Sequence, residues 1–163
     1  TLYGVIATTQ SDGEGFFVQD AGGGEYSGIY IYGSSMEVSV GDELSISGEI
    51  TEFYDFTEIV VSSDSDISIT DSVVAIATTL SEAPADWEAY EGVLITVEDI
   101  SLDSEPNEYG QCETSWSDLT VDDVLYSYYD DFPDGGSFDS ITAALGYSYS
   151  EWRLYPRDVS DFD

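Results

Sequence analysis

Arg153 and Arg157 are the only basic residues among 163, against 35 aspartates and glutamates and no lysine or histidine. They stand four residues apart in EWRLYPRDVSDFD, the last stretch of the sequence. The chemistry open to such a pair is oxyanion binding, because a planar guanidinium meets a carboxylate or phosphate through two parallel hydrogen bonds. On an extended segment Trp152, Leu154 and Pro156 face one way, and Arg153, Tyr155 and Arg157 the other. The expectation is that both arginines pair with nearby carboxylates such as Asp158 or Asp161 and cover aromatic rings. They would then be structural pins where repulsion among acids is greatest; a clamp for an external phosphate or carboxylate is the alternative.

The acids themselves suit hard cations. QSDGEG (Asp12, Glu14), SSDSD (Asp64, Asp66) and YYDDFPDGGSFD (Asp130, Asp131, Asp134, Asp139) are oxygen-rich loops, and calcium takes roughly six to eight oxygen ligands. None is an EF-hand loop: counted from Asp130, the position of the bidentate glutamate holds Ile141. Calcium at Asp12 and Glu14, or at Asp130, Asp131 and Asp134, is the metal expectation, set against solvated acidic loops.

Aromatic rings offer a third chemistry. In GIYIYG, Tyr30 and Tyr32 share one face with Ile29 and Ile31 opposite, and Phe16 or Phe17 joins them from the neighbouring strand. Phe17, Tyr30 and Tyr32 form the candidate ligand face, since such rings stack bases or sugars. The same rings could equally pack against a second domain.

Catalysis finds less support. Without histidine or lysine the commonest general bases and the Schiff-base nucleophile are missing. Cys112 has no histidine to activate it and, being the single cysteine, cannot form an internal disulfide. A carboxylate pair of the glycosidase kind is uninformative in a chain so rich in acids. A non-enzyme is expected.

The elements that must position these groups read as strands. LYGVIATT, GFFVQD, GIYIYG, DELSISGEITEF and TEIVVS alternate apolar and polar residues and are separated by glycine, aspartate and serine turns. EGVLITVEDISL, QCETSW, LTVDDVLYSY, SFDSITAAL and EWRLYP repeat the plan, with LSISGEITEFYDFTEIVVSSDSDI aligning with DSITAALGYSYSEWRLYPRDVSDF. Internal duplication is the economical reading. Between the repeats, Val73 to Thr78 reads as a further strand, and SEAPADWEAYEG predicts one short helix over Ala85 to Tyr90. The expected architecture is all-β, two small barrels in tandem with one short helix between them, spanning 1–72 and 73–163.

Composition bounds the partners. A 42% apolar, 14% aromatic chain folds despite a formal charge of −33. That charge disfavours acidic partners: with two arginines, nucleic acid is not expected to bind unless divalent cations bridge its phosphates, and anionic membranes are disfavoured alike. It suits a medium rich in salt or divalent cations. No stretch approaches the length of a transmembrane helix, and the abrupt start at Thr1 reads as a mature or excised fragment.

GVIATTQSDGEGFFVQD, GIYIYGSSMEVSVGDELSISGEITEFYDFTEI, LSEAPADWEAYEGVLITVEDI and EWRLYPRD, in that order, resemble the paired OB-fold-like domains beside the catalytic domains of bacterial secreted nucleases and other large extracellular proteins. The resemblance implies two OB-like barrels, an accessory role outside the cell or at its surface, and partners that are other domains of a larger secreted protein or copies of the chain itself. It also implies that Tyr30, Tyr32 and Phe17 lie on the ligand face of the first barrel. The sequence departs from it in charge, since relatives that handle nucleic acid would carry basic residues along the groove. The functional expectation is a cation-stabilised scaffolding or ligand-contact module. The alternatives are a self-assembling surface or filament protein joined by calcium bridges or strand addition, and cation-dependent nucleic-acid or saccharide binding through the tyrosine face.

Overall fold

The computed structural model describes residues 1–163. Strands hold 45% of them and no helix reaches seven residues, so the all-β expectation is met in its class. Seven strands run β1 (Leu2–Ala7), β2 (Gly15–Gln19), β3 (Gly28–Tyr32), β4 (Asp42–Ile46), β5 (Glu49–Phe53), β6 (Phe56–Val60) and β7 (Ile67–Ser72). Six more follow as β8 (Thr78–Leu80), β9 (Leu94–Leu102), β10 (Cys112–Glu113), β11 (Leu119–Val121), β12 (Gly136–Ser148) and β13 (Glu151–Tyr155).

They form two mixed sheets rather than closed barrels. The first has the order β5-β6-β3-β2-β1-β4-β7, the second β10-β11-β13-β12-β9-β8. All neighbours are antiparallel except β3 with β6, β11 with β13 and β8 with β9. The long fourth strand expected over DELSISGEITEF is divided into β4 and β5 at Ser47 and Gly48. A side chain at Gly48 would meet Ile59 Cγ2 at 2.4 Å and the Val60 carbonyl oxygen at 2.6 Å, so the bend needs glycine where β5 swings over β6.

Two elements escaped the sequence reading. β7 follows SSDSD and pairs with β4, and the strand expected over Val73 to Thr78 forms instead over Thr78–Leu80. The expected helix is a 3-10 turn, Trp87–Tyr90, capped by the Asp86 side chain accepting from the Glu88 amide. Three further 3-10 turns cover Asp64–Asp66, Tyr128–Asp130 and Val159–Asp161.

Period-two alternation explains where the cores sit. Phe16, Val18, Ile31, Leu44, Ile46 and Ile59 fill the first, and Ile95, Val97, Ile100, Ile141, Leu145 and Leu154 the second. β2 is buried at all five positions, which one covered face cannot produce. Phe16 and Val18 enter the first core, while Phe17 and Gln19 on the other face meet the second sheet. This doubly covered strand is where the two sheets meet.

Candidate functional site: the seam between the sheets

The seam is built on backbone approach. A Cβ on Gly28 would lie 2.1 Å from the Gly92 carbonyl carbon and 2.3 Å from the Val93 nitrogen, so the chains touch with no side chain between them. Around this point lies a small aromatic cluster. Phe17 and Tyr30, cross-strand partners on β2 and β3, have ring centres 4.9 Å apart. Tyr155 of β13 stacks on Phe17 at 5.7 Å, and Phe56 of β6 packs against Tyr30 at 5.7 Å. On β12 the facing residues are Ala144 and Gly146; a Cβ on Gly146 would meet Tyr155 at 2.7 Å and Phe17 at 3.3 Å. Small residues on one sheet thus receive large rings from the other.

Phe17 and Tyr30 are therefore 5% and 8% exposed, whereas Tyr32, one step further along β3, is 40% exposed. Of the three rings of the expected ligand face, two are packed into the seam. Tyr30 donates its hydroxyl to Asp12 Oδ2 at 2.7 Å, and burial together with that carboxylate pushes the phenol far above its usual range.

Polar ties cross the same boundary. Gln19 Nε2 donates to the Ile76 carbonyl at 2.8 Å, and its Oε1 accepts from the Leu94 amide at 2.9 Å. The Tyr26 amide donates to the Ala89 carbonyl at 2.6 Å. Gln10 Nε2 donates to the Arg157 carbonyl at 3.1 Å, and Arg157 Nη1 to the Thr8 carbonyl at 3.2 Å.

Both arginines are held by carboxylates. Arg153 is buried and donates to Asp122 Oδ2 at 2.9 Å, with a longer contact to Glu151 Oε2 at 3.4 Å, and its guanidinium carbon lies 5.6 Å from the Tyr149 ring centre. Asp122 also accepts from Gln111 Nε2 and the Val124 amide. Burial nevertheless outweighs these partners and raises its carboxyl above the ordinary aspartate range. Arg157 grips Asp161 with Nε at 2.9 Å and Nη2 on the second oxygen, while its own amide donates to Asp161 at 2.7 Å. Asp158, the other expected partner, caps the last 3-10 turn by accepting from the Ser160 hydroxyl and amide, and that bonding, the hydroxyl's first, holds its carboxyl below the usual range.

The acids of the expected metal loops stand at turns and on the surface. Asp12 Oδ1 accepts from the Glu14 and Gly15 amides, both at 2.8 Å, so with Tyr30 on its other oxygen it serves the turn. Glu14, Asp130, Asp131 and Asp134 are exposed, and Asp131 accepts from the Tyr126 hydroxyl. Asp64 accepts from the Ser34 and Ser35 hydroxyls, which draw its carboxyl down. No three acidic or cysteine side chains converge in the manner of a metal-ligand group. An open groove of about 780 Å³ lies beside the second sheet, lined by Glu105, Glu108, Tyr109, Asp123 and Tyr129.

The residue least legible in the sequence is Glu91. It closes the 3-10 turn before Gly92, is 8% exposed, and accepts the Thr57 amide of β6 on Oε1 at 2.9 Å. Its Oε2 is buried with no hydrogen-bond partner in the protein. Burial pushes the carboxyl up to about 7; Glu88 and Glu52 push the same way, and the Thr57 amide opposes them. Its only sequence signal is a carboxylate in YEGVL, just before a glycine that precedes a buried strand.

Chemically, the seam can bind two sheets together and exchange a proton near neutrality. Compared with protein-family models, with curated proteins and with solved structures, the chain matches none.

Proposed function

We propose that this chain is a non-catalytic, OB-like accessory module of a larger extracellular protein, stabilised by salt or calcium and serving as a scaffold or contact surface. The observation that carries the reading is the use of the aromatic rings and both arginines: Phe17, Tyr30 and Tyr155 fasten the sheets, and each arginine is held by a carboxylate. The outer surface is left to carboxylates without a free cationic side chain. Support for OB-like units on 1–72 and 73–163 comes from the parallel β3–β6 and β11–β13 pairs, the near-continuity of β4 with β5, and the Leu102–Thr114 bridge that brings the end of β9 beside β10. No helix is long and apolar enough to cross a membrane.

A second reading rests on the edges of the first sheet. β5 and β7 each lack a neighbour on one side, and Ile50, Phe53 and Ile69 on them are exposed. Such edges invite strand addition between copies, with cations offsetting the repulsion of like-charged chains.

Light scattering alongside thermal melting, with calcium added and then chelated, separates the two. The accessory module stays monomeric and its melting temperature rises with millimolar calcium or high salt. Large particles that dissolve on chelation would replace it with the assembling protein, and melting indifferent to both salt and calcium would remove the cation-stabilised part of the reading.

A further inference from the structure

At the β5–β6 end, the seam depends on one carboxyl group. Thr57 of β6 reaches across with its amide to Glu91 Oε1, while Oε2 stays buried without a partner. The charged groups around it are all acids. Glu52 of β5 and Glu88 of the 3-10 turn face Glu91, Asp55 of the β5–β6 turn and Asp86 face Glu88, and Glu25 of the β2–β3 loop is taken by the Tyr90 hydroxyl. Arg153 and Arg157, the only cations that could answer a charge here, are held by Asp122 and Asp161.

A neutral carboxyl keeps its bond from Thr57 at little electrostatic cost. An ionised one places an uncompensated charge in a buried seam, with two further carboxylates turned toward it, and water is the ready source of solvation. Reaching that water requires the sheets to part. We propose that the seam is a proton-gated contact: protonated Glu91 keeps the sheets closed over the Phe17–Tyr30 aromatic face, and ionised Glu91 lets them separate at this edge. The inference does not depend on what the module is attached to, nor on whether it binds calcium.

The sign follows from linkage. Because the closed form holds the proton more tightly than a solvated glutamate, closure is fully favoured below the ordinary value of 4.5, weakens as pH rises, and levels off beyond the closed-state value of about 7. Hydrogen exchange of individual amides, corrected for the intrinsic pH dependence of exchange, reads this directly. Protection of the Thr57 and Tyr26 amides should fall on the order of fiftyfold between roughly pH 5 and pH 8, while the Ile31 and Ile95 amides in the two cores stay protected. Glu91→Gln should make the seam amides insensitive to pH. Glu52→Gln, an exposed change whose amide oxygen can still accept from the Thr57 hydroxyl as the carboxylate does at 2.6 Å, should shrink the fall without abolishing it. A wild type with flat protection would overturn the proposal. So would a fall that persists unchanged in Glu91→Gln, or one shared equally by the core amides; if Glu91→Gln does not fold, an undiminished fall in Glu52→Gln would do the same.

Discussion

Arg153→Met is the sharpest perturbation available to this molecule, because it removes the guanidinium but keeps much of the apolar stem. Asp122 would be left with its side chain only 3% exposed and without the partner now 2.9 Å away. Breaking a buried ion pair from one side costs about 3–5 kcal/mol. Two features of the site place the loss near the lower end: Asp122 keeps its bonds from Gln111 and Val124, and Arg153 Nε, buried without an acceptor, is itself a cost that methionine removes. We expect about 3 kcal/mol, or a fall in melting temperature of roughly 6–12 °C for a chain of this size. Urea denaturation near 1 M salt, where the Debye length is about 3 Å, isolates the local effect from the loss of one cation in a strongly acidic chain.

The pH dependence of that loss has a definite sign. Burial already raises the Asp122 carboxyl above 3.8 with the arginine present, so the penalty for ionising it is absent below 3.8, grows as pH rises above 3.8, and levels off beyond the folded value. Without the arginine the folded value climbs further. The deficit of the variant should therefore be small near pH 4 and full at pH 7, and adding Asp122→Asn should recover more than half of it. A variant within 1 kcal/mol of wild type at pH 7, or one equally impaired at pH 4, would refute the account of Arg153 as the counter-charge of a buried acid.

Two further changes probe the seam by packing alone. Phe17→Ala removes the ring that touches Tyr30, Phe56 and Tyr155 and should cost about 3 kcal/mol in chemical denaturation; a loss under 1 kcal/mol would mean that the sheets barely depend on each other. Gly28→Ala drives a methyl group into the Gly92 and Val93 backbone, which cannot rotate aside, and should destabilise by at least about 1–3 kcal/mol, seen as lost protection of the Tyr26 and Thr57 amides. Gly22→Ala, where nothing lies within 4 Å of the added carbon, is the control and should change stability by less than about 0.5 kcal/mol.

How far these features could be read in advance depended on whether they were local. The strands of GFFVQD, GIYIYG and EWRLYP follow from alternation and turn residues, and so does the sidedness of Leu154 against Arg153 and Tyr155. Arg157 with Asp161 was also legible, because the partners lie four residues apart. Arg153 with Asp122 was not: these residues are 31 apart in sequence and meet only because β11 and β13 run parallel. The same limit applies to the rings. Period two placed Tyr30 and Tyr32 on one face but could not say that β12 would bring Ala144 against the cluster that buries the first and leave the second exposed. Glu91 gave almost no signal, since a carboxylate before a turn glycine usually meets solvent, and only the approach of Thr57 from the other sheet buries it.

The placement of the two arginines also decides how this chain meets proteases. An enzyme that cuts after basic residues has two bonds to attack, Arg153–Leu154 and Arg157–Asp158, and the first lies inside β13, which is hydrogen-bonded on both sides by β11 and β12. Cleavage there requires the second sheet to come apart, so a cut at that bond, unlike one at Arg157–Asp158 beyond the strand, reports on the second sheet. The first 152 residues offer it no site whatever the state of their fold, and a cut at Arg153 releases the segment that carries Tyr155 and Arg157, the second sheet's hold on Phe17 and Thr8.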